Sequence, residues 1–283
     1  MATEWLDLHT PPALPGLLLR AACRRGITGK VLPHRGLRCP VSVDADHLGR
    51  YRQLCGFGDD ARLPATYPHV LAFTLQMKLL TDADFPFPLL GLVHLENRIR
   101  VVRQLAGLGP FTLSVEASNL APHDKGAVFS VITRLEDQLG LLWEGDSRLL
   151  CRGVKLDGPT VGRSEPPSLP MDELDSWQAA ANVGRRYARV SGDYNPIHLS
   201  ALSAKPFGFP RAIAHGLWNK ARALAALQGH LPASGYSLEV RFQKPVLLPN
   251  SLRMRASLPA AEGQFDLRGK DDVPHMAGYW QVI

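Results

Sequence analysis

The sequence contains no Cys-x-x-Cys pair, no His-Glu-x-x-His pattern and no dense basic run with interleaved aromatics. It also lacks any stretch of about 18 consecutive apolar residues, so no segment is expected to span a membrane as a helix. Its four cysteines, Cys23, Cys39, Cys55 and Cys151, stand far apart. Dispersed cysteines exclude a zinc ribbon or a dithiol redox centre. They suit small buried side chains in a reducing compartment, and a cytoplasmic setting is expected. The histidines offer no metal-ligand spacing either, so no metal site is expected. The run Leu17-Leu18-Leu19 is too short for a signal-peptide core, and Glu4 and Asp7 precede it where positive charge belongs.

Charge of one sign is not concentrated anywhere. The net charge is +6 and the pI about 9.3, but the Lys and Arg residues are scattered. Nucleic acid is therefore not an expected partner. What remains is ordinary globular material: 283 residues, 45% hydrophobic and 20% charged, enough for one large core or two modest ones.

The clearest break in the chain is the stretch from Gly158 to Pro170, whose Gly and Pro density disfavours helix and reads as an extended linker. It predicts an N-terminal half over 1–157, a linker over 158–172 and a C-terminal half over 173–283. The halves echo each other. The segment from Tyr51 to Gly56 resembles that from Tyr187 to Gly192, and Pro68-His69-Val70 resembles Ala214-His215-Gly216. Strand ends near Asn97 and Gln243 follow. Between its Tyr and its His the first half is about ten residues shorter, and the missing residues include counterparts of 193–198.

Each half pairs one helix with strands. Leu71, Leu75 and Leu79 predict a helix in the first; Ile213, Leu217, Ala221, Leu224 and Ala225 predict one in the second, ending near Gly229. Alternation predicts strands at Phe111 to Ala117, Leu238 to Lys244 and Leu252 to Leu258, and the β-branched run Val128 to Thr133 predicts another. The turn at Leu248 to Ser251 suits an antiparallel connection between the second-half strands. A sheet wrapped around a central helix, twice over, is an α+β arrangement and not a doubly wound one.

Chemistry concentrates in Ser191-Gly-Asp-Tyr-Asn-Pro-Ile-His198. Gly192 and Pro196 force a fixed, non-helical path that can aim the Asp193 carboxylate and the His198 imidazole at one point. Such a pair, sharing one water, can act as base and acid for adding water across a conjugated double bond, each role being worth roughly 10²–10⁴ in rate. Asn195 can hold the geometry or the water. The same loop also reads as a helix cap whose polar side chains bind backbone amides. Further on, Gly216 lies near the start of the second helix, where a free N–H can bond a thioester carbonyl oxygen as it gains charge. Gly216 equally suits close helix–sheet packing. His215, with apolar neighbours, reads as a buried structural histidine, as does His69.

Tyr187 followed by the Ser191–His198 motif, Gly208-Phe209 and Ile213-Ala-His-Gly216 resembles the signature of MaoC-like dehydratases, the (R)-specific enoyl-CoA hydratases. The resemblance is specific over about 187–221 and looser elsewhere, and Leu217 stands where Met is common. It implies a double hot-dog fold whose first repeat has lost its catalytic loop and widens an acyl tunnel. It implies Asp193 and His198 as the catalytic pair, Asn195 in support and Gly216 as oxyanion donor. The implied reaction is reversible hydration of trans-2-enoyl thioesters to (R)-3-hydroxyacyl thioesters, with no metal or redox cofactor. Coenzyme A, or the phosphopantetheine arm of an acyl carrier protein, would be the handle of the substrate. Arg211, Lys220, Arg241 and Lys244 are candidates for its phosphates. A hot-dog thioesterase and a non-catalytic acyl-thioester-binding subunit are the alternatives, and a homodimer is a further expectation because hot-dog sheets pair, the alternative being that the duplicated chain satisfies that contact internally.

Overall fold

The computed structural model describes residues 3–24, 26–160, 169–257 and 261–283. The first half runs β1 (Glu4–Asp7), α1 (Leu14–Cys23), β2 (Arg35–Val41), α2 (Ala45–Cys55), α3 (Tyr67–Leu80), β3 (Val93–Val101), β4 (Phe111–His123), β5 (Gly126–Asp137) and β6 (Gly140–Arg152). The second runs β7 (Asp172–Ala179), α4 (Val183–Ser191), α5 (Ala201–Ala204), α6 (Gly216–Ala226), β8 (Tyr236–Phe242), β9 (Asn250–Ala256), β10 (Glu262–Arg268) and β11 (Pro274–Val282). Most of the linker expected at 158–172 lies outside the described residues.

All the described strands join one sheet in the order β1-β2-β4-β5-β6-β3-β8-β11-β10-β9-β7. Apart from the edge strand β1, the order is a palindrome: β2-β4-β5-β6-β3 in the first half mirrors β7-β9-β10-β11-β8 in the second. The mirror lies between β3 and β8, which pair antiparallel from Glu96↔Arg241 to Val101↔Tyr236. This is the double hot-dog arrangement. One expectation is corrected here. β8 and β9, consecutive in sequence, are not neighbours, because β11 and β10 stand between them.

The seam is also core. Ile99 and Leu238 face each other across it at 1% and 0% exposure, within an apolar cluster that draws residues from both halves. A fully buried side chain of this size contributes about 1.5–3 kcal/mol, so the halves are not separable without exposing a shared interior. The α3 helix, with Val70, Ala72, Leu75, Met77, Leu79 and Leu80 all buried, shows no single apolar stripe because it is covered on most sides. The α6 helix ends at Ala226 with Leu227 as cap, two residues before the glycine expected to stop it.

Hydrogen bonds shared by the halves fix their correspondence. The short helices α2 and α4 each end in a left-handed glycine, Gly56 (φ 77°) and Gly192 (φ 79°), whose N–H bonds a carbonyl one turn back. Further on, Leu63 N–H bonds Leu105 O at 2.8 Å, as Ala214 N–H bonds Val246 O at 2.9 Å, next to the isolated bridges Arg62↔Ala106 and Ile213↔Leu247. This register places Pro64, not His69, opposite His215. His69 follows its bridge residue by the same interval as Lys220 follows Ile213. The sequence match of the two His-centred tripeptides is thus displaced by about one and a half helical turns, because apolar helix starts look alike at several offsets. The shortening of the first half is also larger than expected: six positions separate Gly56 from Arg62, against 21 between Gly192 and Ile213.

Candidate active site

The catalytic-loop candidates all lie in the extra stretch of the second half. Gly192, left-handed at the end of α4, turns the chain out of the helix. Asp193 then accepts a hydrogen bond from Asn195 N–H on Oδ1 at 3.2 Å. Asn195 caps the short 3-10 turn Pro196–His198, its Oδ1 facing Ile197 N at 3.4 Å. The capping reading is realised: Asn195 caps the turn, and the same residue's N–H holds the Asp193 carboxylate.

His198 is 8% exposed and its Nδ1 lies 2.8 Å from Ile213 O. A carbonyl only accepts, so Nδ1 carries the proton and Nε2 is left bare in the neutral ring. Burial lowers the His198 pKa below its usual value, against the opposing pulls of Asp193 and the Ile213 carbonyl, which keeps the ring neutral near pH 7. Asp193 moves the other way in charge. Burial disfavours its carboxylate, but His215, His198 and the Asn195 N–H outweigh that and hold its pKa below the ordinary range. Its side chain remains 34% exposed, so a substrate can reach it.

Asp193, His198 and His215 each bring one carboxylate or ring atom within 4.8 Å of the others. A single oxygen can hydrogen-bond two such groups at about 2.8 Å each. His215 Nε2 is 3.0 Å from Asp193 O and 3.7 Å from Asp193 Oδ2. It is thus committed as a donor to the Asp193 backbone, and its ring stacks on His198. Its other ring nitrogen, Nδ1, is buried with no hydrogen-bond partner among the described residues. His215 is buried as expected, yet it is part of the site: it clamps the peptide that carries Asp193.

Gly216 opens α6 directly after His215, so its N–H has no acceptor within the helix. Phe242, at the end of β8, lies against it: a Cβ on Gly216 would stand 2.9 Å from Phe242 Cε1. His94 from the first half packs edge-on to the same ring, centroids 5.0 Å apart. Gly184 was not singled out in the sequence, but a Cβ there would meet His198 O at 2.0 Å. That close approach seats the 193–198 loop on α4. No local signal marks Gly184 or His94, because both acquire meaning only from chain segments distant in sequence.

The counterpart position in the first half is a cavity of about 80 Å³ lined by Phe57, Asp60, Arg62, Pro64, Ala65 and Tyr236, among others. Phe57 follows Gly56 where Asp193 follows Gly192, and Asp60 is consumed by an ion pair with Arg62 at 2.6 Å. No carboxylate–imidazole pair forms there.

Comparison with known proteins gives the same address. The MaoC like domain matches residues 169–272. The 3-hydroxyacyl-thioester dehydratase X of Mycobacterium tuberculosis is 35% identical over 259 residues, covering 89% of this chain and 90% of that protein. The chain belongs to the MaoC-like family. A crystal structure of HtdX from the same organism superposes with a TM-score of 0.77 at 29% identity, over 88% of this chain and all of that one. A second M. tuberculosis protein, described as a double hotdog fold, shares the fold at a TM-score of 0.52 and 12% identity.

Four further residues of this MaoC-like chain were candidates for thioester phosphates, and Lys220 is a correction. Its side chain is wholly buried, with Nζ 2.5 Å from Asn97 Oδ1 and 3.2 Å from Asn97 O across the seam. Its basic side chain made it a candidate, and residue type alone could not reveal that it points inward. Arg241 lies 3.8 Å from Glu96 and 3.5 Å from Glu239 and is thereby engaged. Arg211 and Lys244 are exposed.

Proposed function

We propose that this protein catalyses the reversible hydration of trans-2-enoyl thioesters to (R)-3-hydroxyacyl thioesters, as a hydro-lyase of fatty-acid metabolism. The observation that carries the reading is the approach of the Asp193 carboxylate and the His198 ring within 4.8 Å, with His198 Nδ1 fixed to Ile213 O. The 3-hydroxyacyl-thioester dehydratase from M. tuberculosis supports it over nearly the full length of both chains.

In the hydration direction one water bridges the Asp193 carboxylate and the bare His198 Nε2. The pair removes a proton as the water oxygen bonds C3, and returns a proton to C2 on the same face. The thioester carbonyl oxygen becomes enolate-like between these events, and the Gly216 N–H at the start of α6 is placed to bond it. Losing such a donor typically costs about 10²–10³ in rate. Asn195 maintains the distance between the two catalytic groups. Neither a metal nor a redox cofactor is required by this scheme.

The handle of the substrate is coenzyme A or the phosphopantetheine of an acyl carrier protein. Arg211 and Lys244, both exposed, are the remaining candidates for its phosphates. Among the described residues no helix is long and apolar enough to cross a membrane. The four cysteines are free and three of them are buried, which suits a reducing, cytoplasmic setting. The β3–β8 pairing joins the sheets of the two halves within one chain, and a homodimer of such chains is a further part of the proposal.

The test is loss of the conjugated thioester absorbance of trans-2-enoyl-CoA substrates of graded chain length. Asp193→Asn and His198→Gln are expected each to lower kcat by about 10² or more, the scale of a lost general acid or base, with thermal unfolding little changed. Wild-type turnover in both variants would overturn the assignment. Release of free thiol without 3-hydroxyacyl product would identify thioester hydrolysis instead.

A further inference from the structure

The α3 helix of the first half packs against the start of the 193–198 loop and carries a histidine that the scheme above does not use. His69 lies on α3 and is half-buried. Phe73, one turn further along the same face, stands with Cδ1 3.0 Å from where a Cβ on Gly192 would be. That face of α3 therefore abuts the peptide leading into Asp193. The Asp193 carboxylate is among the charges acting on the His69 ring, together with Lys220.

The proton on His69 can be placed. Gln76 is buried, and its side-chain nitrogen donates to Thr133 Oγ1 at 2.9 Å and lies 3.3 Å from His69 Nδ1. An amide nitrogen only donates, so its second hydrogen goes to His69 Nδ1, which must then be bare. A neutral ring with a bare Nδ1 carries its proton on Nε2. His198 has the opposite arrangement, its Nδ1–H donating to the Ile213 carbonyl. The two halves thus hold neutral imidazoles of opposite tautomer, His198 with a bare Nε2 and His69 with a protonated one.

We infer that His69 Nε2–H hydrogen-bonds the oxygen at C3, the attacking water in hydration and the departing hydroxyl in dehydration. The inference rests on the proposed reaction. In dehydration the C2–H and C3–O bonds break, the C2 proton passes through the Asp193–His198 pair to the leaving oxygen, and water departs. His69 transfers no proton in this cycle; its N–H stabilises charge on the oxygen as the C–O bond lengthens. The duplicated half, which lost its own catalytic loop, would in this way supply a substrate contact to the surviving one.

Two measurements test this, one of them independent of turnover. The first is affinity for (R)-3-hydroxybutyryl-CoA relative to butyryl-CoA, in wild type, His69→Leu and His69→Gln. A neutral hydrogen bond of ordinary net strength corresponds to roughly 5- to 10-fold in binding, so His69→Leu is expected to erase a preference of that size. His69→Gln, which can place an amide N–H near the lost Nε2, is expected to keep most of it. An unchanged preference in His69→Leu overturns the inference, whether or not the protein turns over enoyl substrates. The second is steady-state hydration: His69→Leu is expected to lower kcat at least about tenfold with KM for enoyl-CoA nearly constant, as for a donor used in the transition state. Should His69→Leu fail to fold, Gln76→Leu serves, since it frees the ring to adopt the other tautomer. It is expected to reduce the hydroxyl preference, and full retention of that preference overturns the inference.

Discussion

The rings of His198 and His215 are stacked, with centroids 3.6 Å apart and 24° between their planes. Two imidazolium ions at that separation would repel strongly in a buried setting, so the geometry requires at least one ring to be neutral. Burial and the neighbouring His198 push the His215 pKa down to about 3, against the pull of Asp193. Burial likewise pushes His69 to about 4 and His94 to about 3.

An acid sensitivity follows. Each of these histidines titrates near 6.5 in the unfolded chain, so between about pH 6.5 and the folded values the unfolded state binds more protons. Stability is complete above that window and falls as pH drops through it. For His215, which is 2% exposed, the slope is roughly 1.4 kcal/mol per pH unit inside the window. Thermal unfolding followed from pH 7.5 to pH 4.5 should show a midpoint that holds down to about pH 6.5 and falls below it. A midpoint constant over that range would contradict the neutral-histidine arrangement.

Gly184→Ala tests how the catalytic loop is seated. The new methyl would meet the His198 carbonyl oxygen, a backbone atom that cannot rotate away. Overpacking of this kind costs typically about 1–3 kcal/mol, and here it also shifts His198 relative to Asp193. A loss of both stability and kcat is expected, read by thermal unfolding and enoyl-CoA hydration. Normal kcat in a folded Gly184→Ala protein would show that the seating does not matter to the chemistry.

Gly216→Ala separates backbone donor from packing. Alanine keeps the N–H but presses on the Phe242 ring. Phe242 is a side chain and can yield, so the expected outcome is a fall of about tenfold in kcat/KM, or about 1.4 kcal/mol of transition-state stabilisation. In a Phe242→Ala background the same substitution should cost much less. Equal losses in the two backgrounds would place the defect elsewhere.

Lys220→Met tests the reassignment of that residue. Burial holds the Lys220 pKa well below its usual value, and the substitution would leave Asn97 Oδ1 without its lysine donor. A loss of about 1–3 kcal/mol in unfolding free energy is expected, the cost of stranding a buried polar atom. The ratio of KM values for coenzyme A and pantetheine thioesters should not move. A selective rise for the coenzyme A form would return Lys220 to the phosphates.

The parts of this protein written locally were legible. Asp193, Asn195 and His198 fall within six consecutive residues whose Gly and Pro punctuation dictates a bend, and a bend of that kind constrains its own side chains. Gly216 was legible because the apolar period of α6 announces where a helix begins. The strand alternations at Phe111 to Ala117 and at Leu238 to Lys244, the latter ending two residues earlier in β8, likewise follow from a period of two that each segment carries alone. The duplication itself was visible, since Tyr51 to Gly56 and Tyr187 to Gly192 share one pattern.

What lay beyond the sequence depends on contacts between segments far apart in the chain. Nothing local says that β3 pairs with β8, so nothing local says that Lys220 turns inward to Asn97 or that His94 meets Phe242. The offset between the halves was misread for the same reason: helix starts resemble one another, and only the matched bonds Leu63–Leu105 and Ala214–Val246 fix the register. Sequence by itself determined the chemical groups and the loop that carries them. The tertiary structure alone decided which of those groups are buried, which ring nitrogen holds each proton, and that the half lacking the Asp–His loop packs against the half that has it. Burial and proton placement are set by whatever neighbours the fold brings up, and a linear pattern does not encode them.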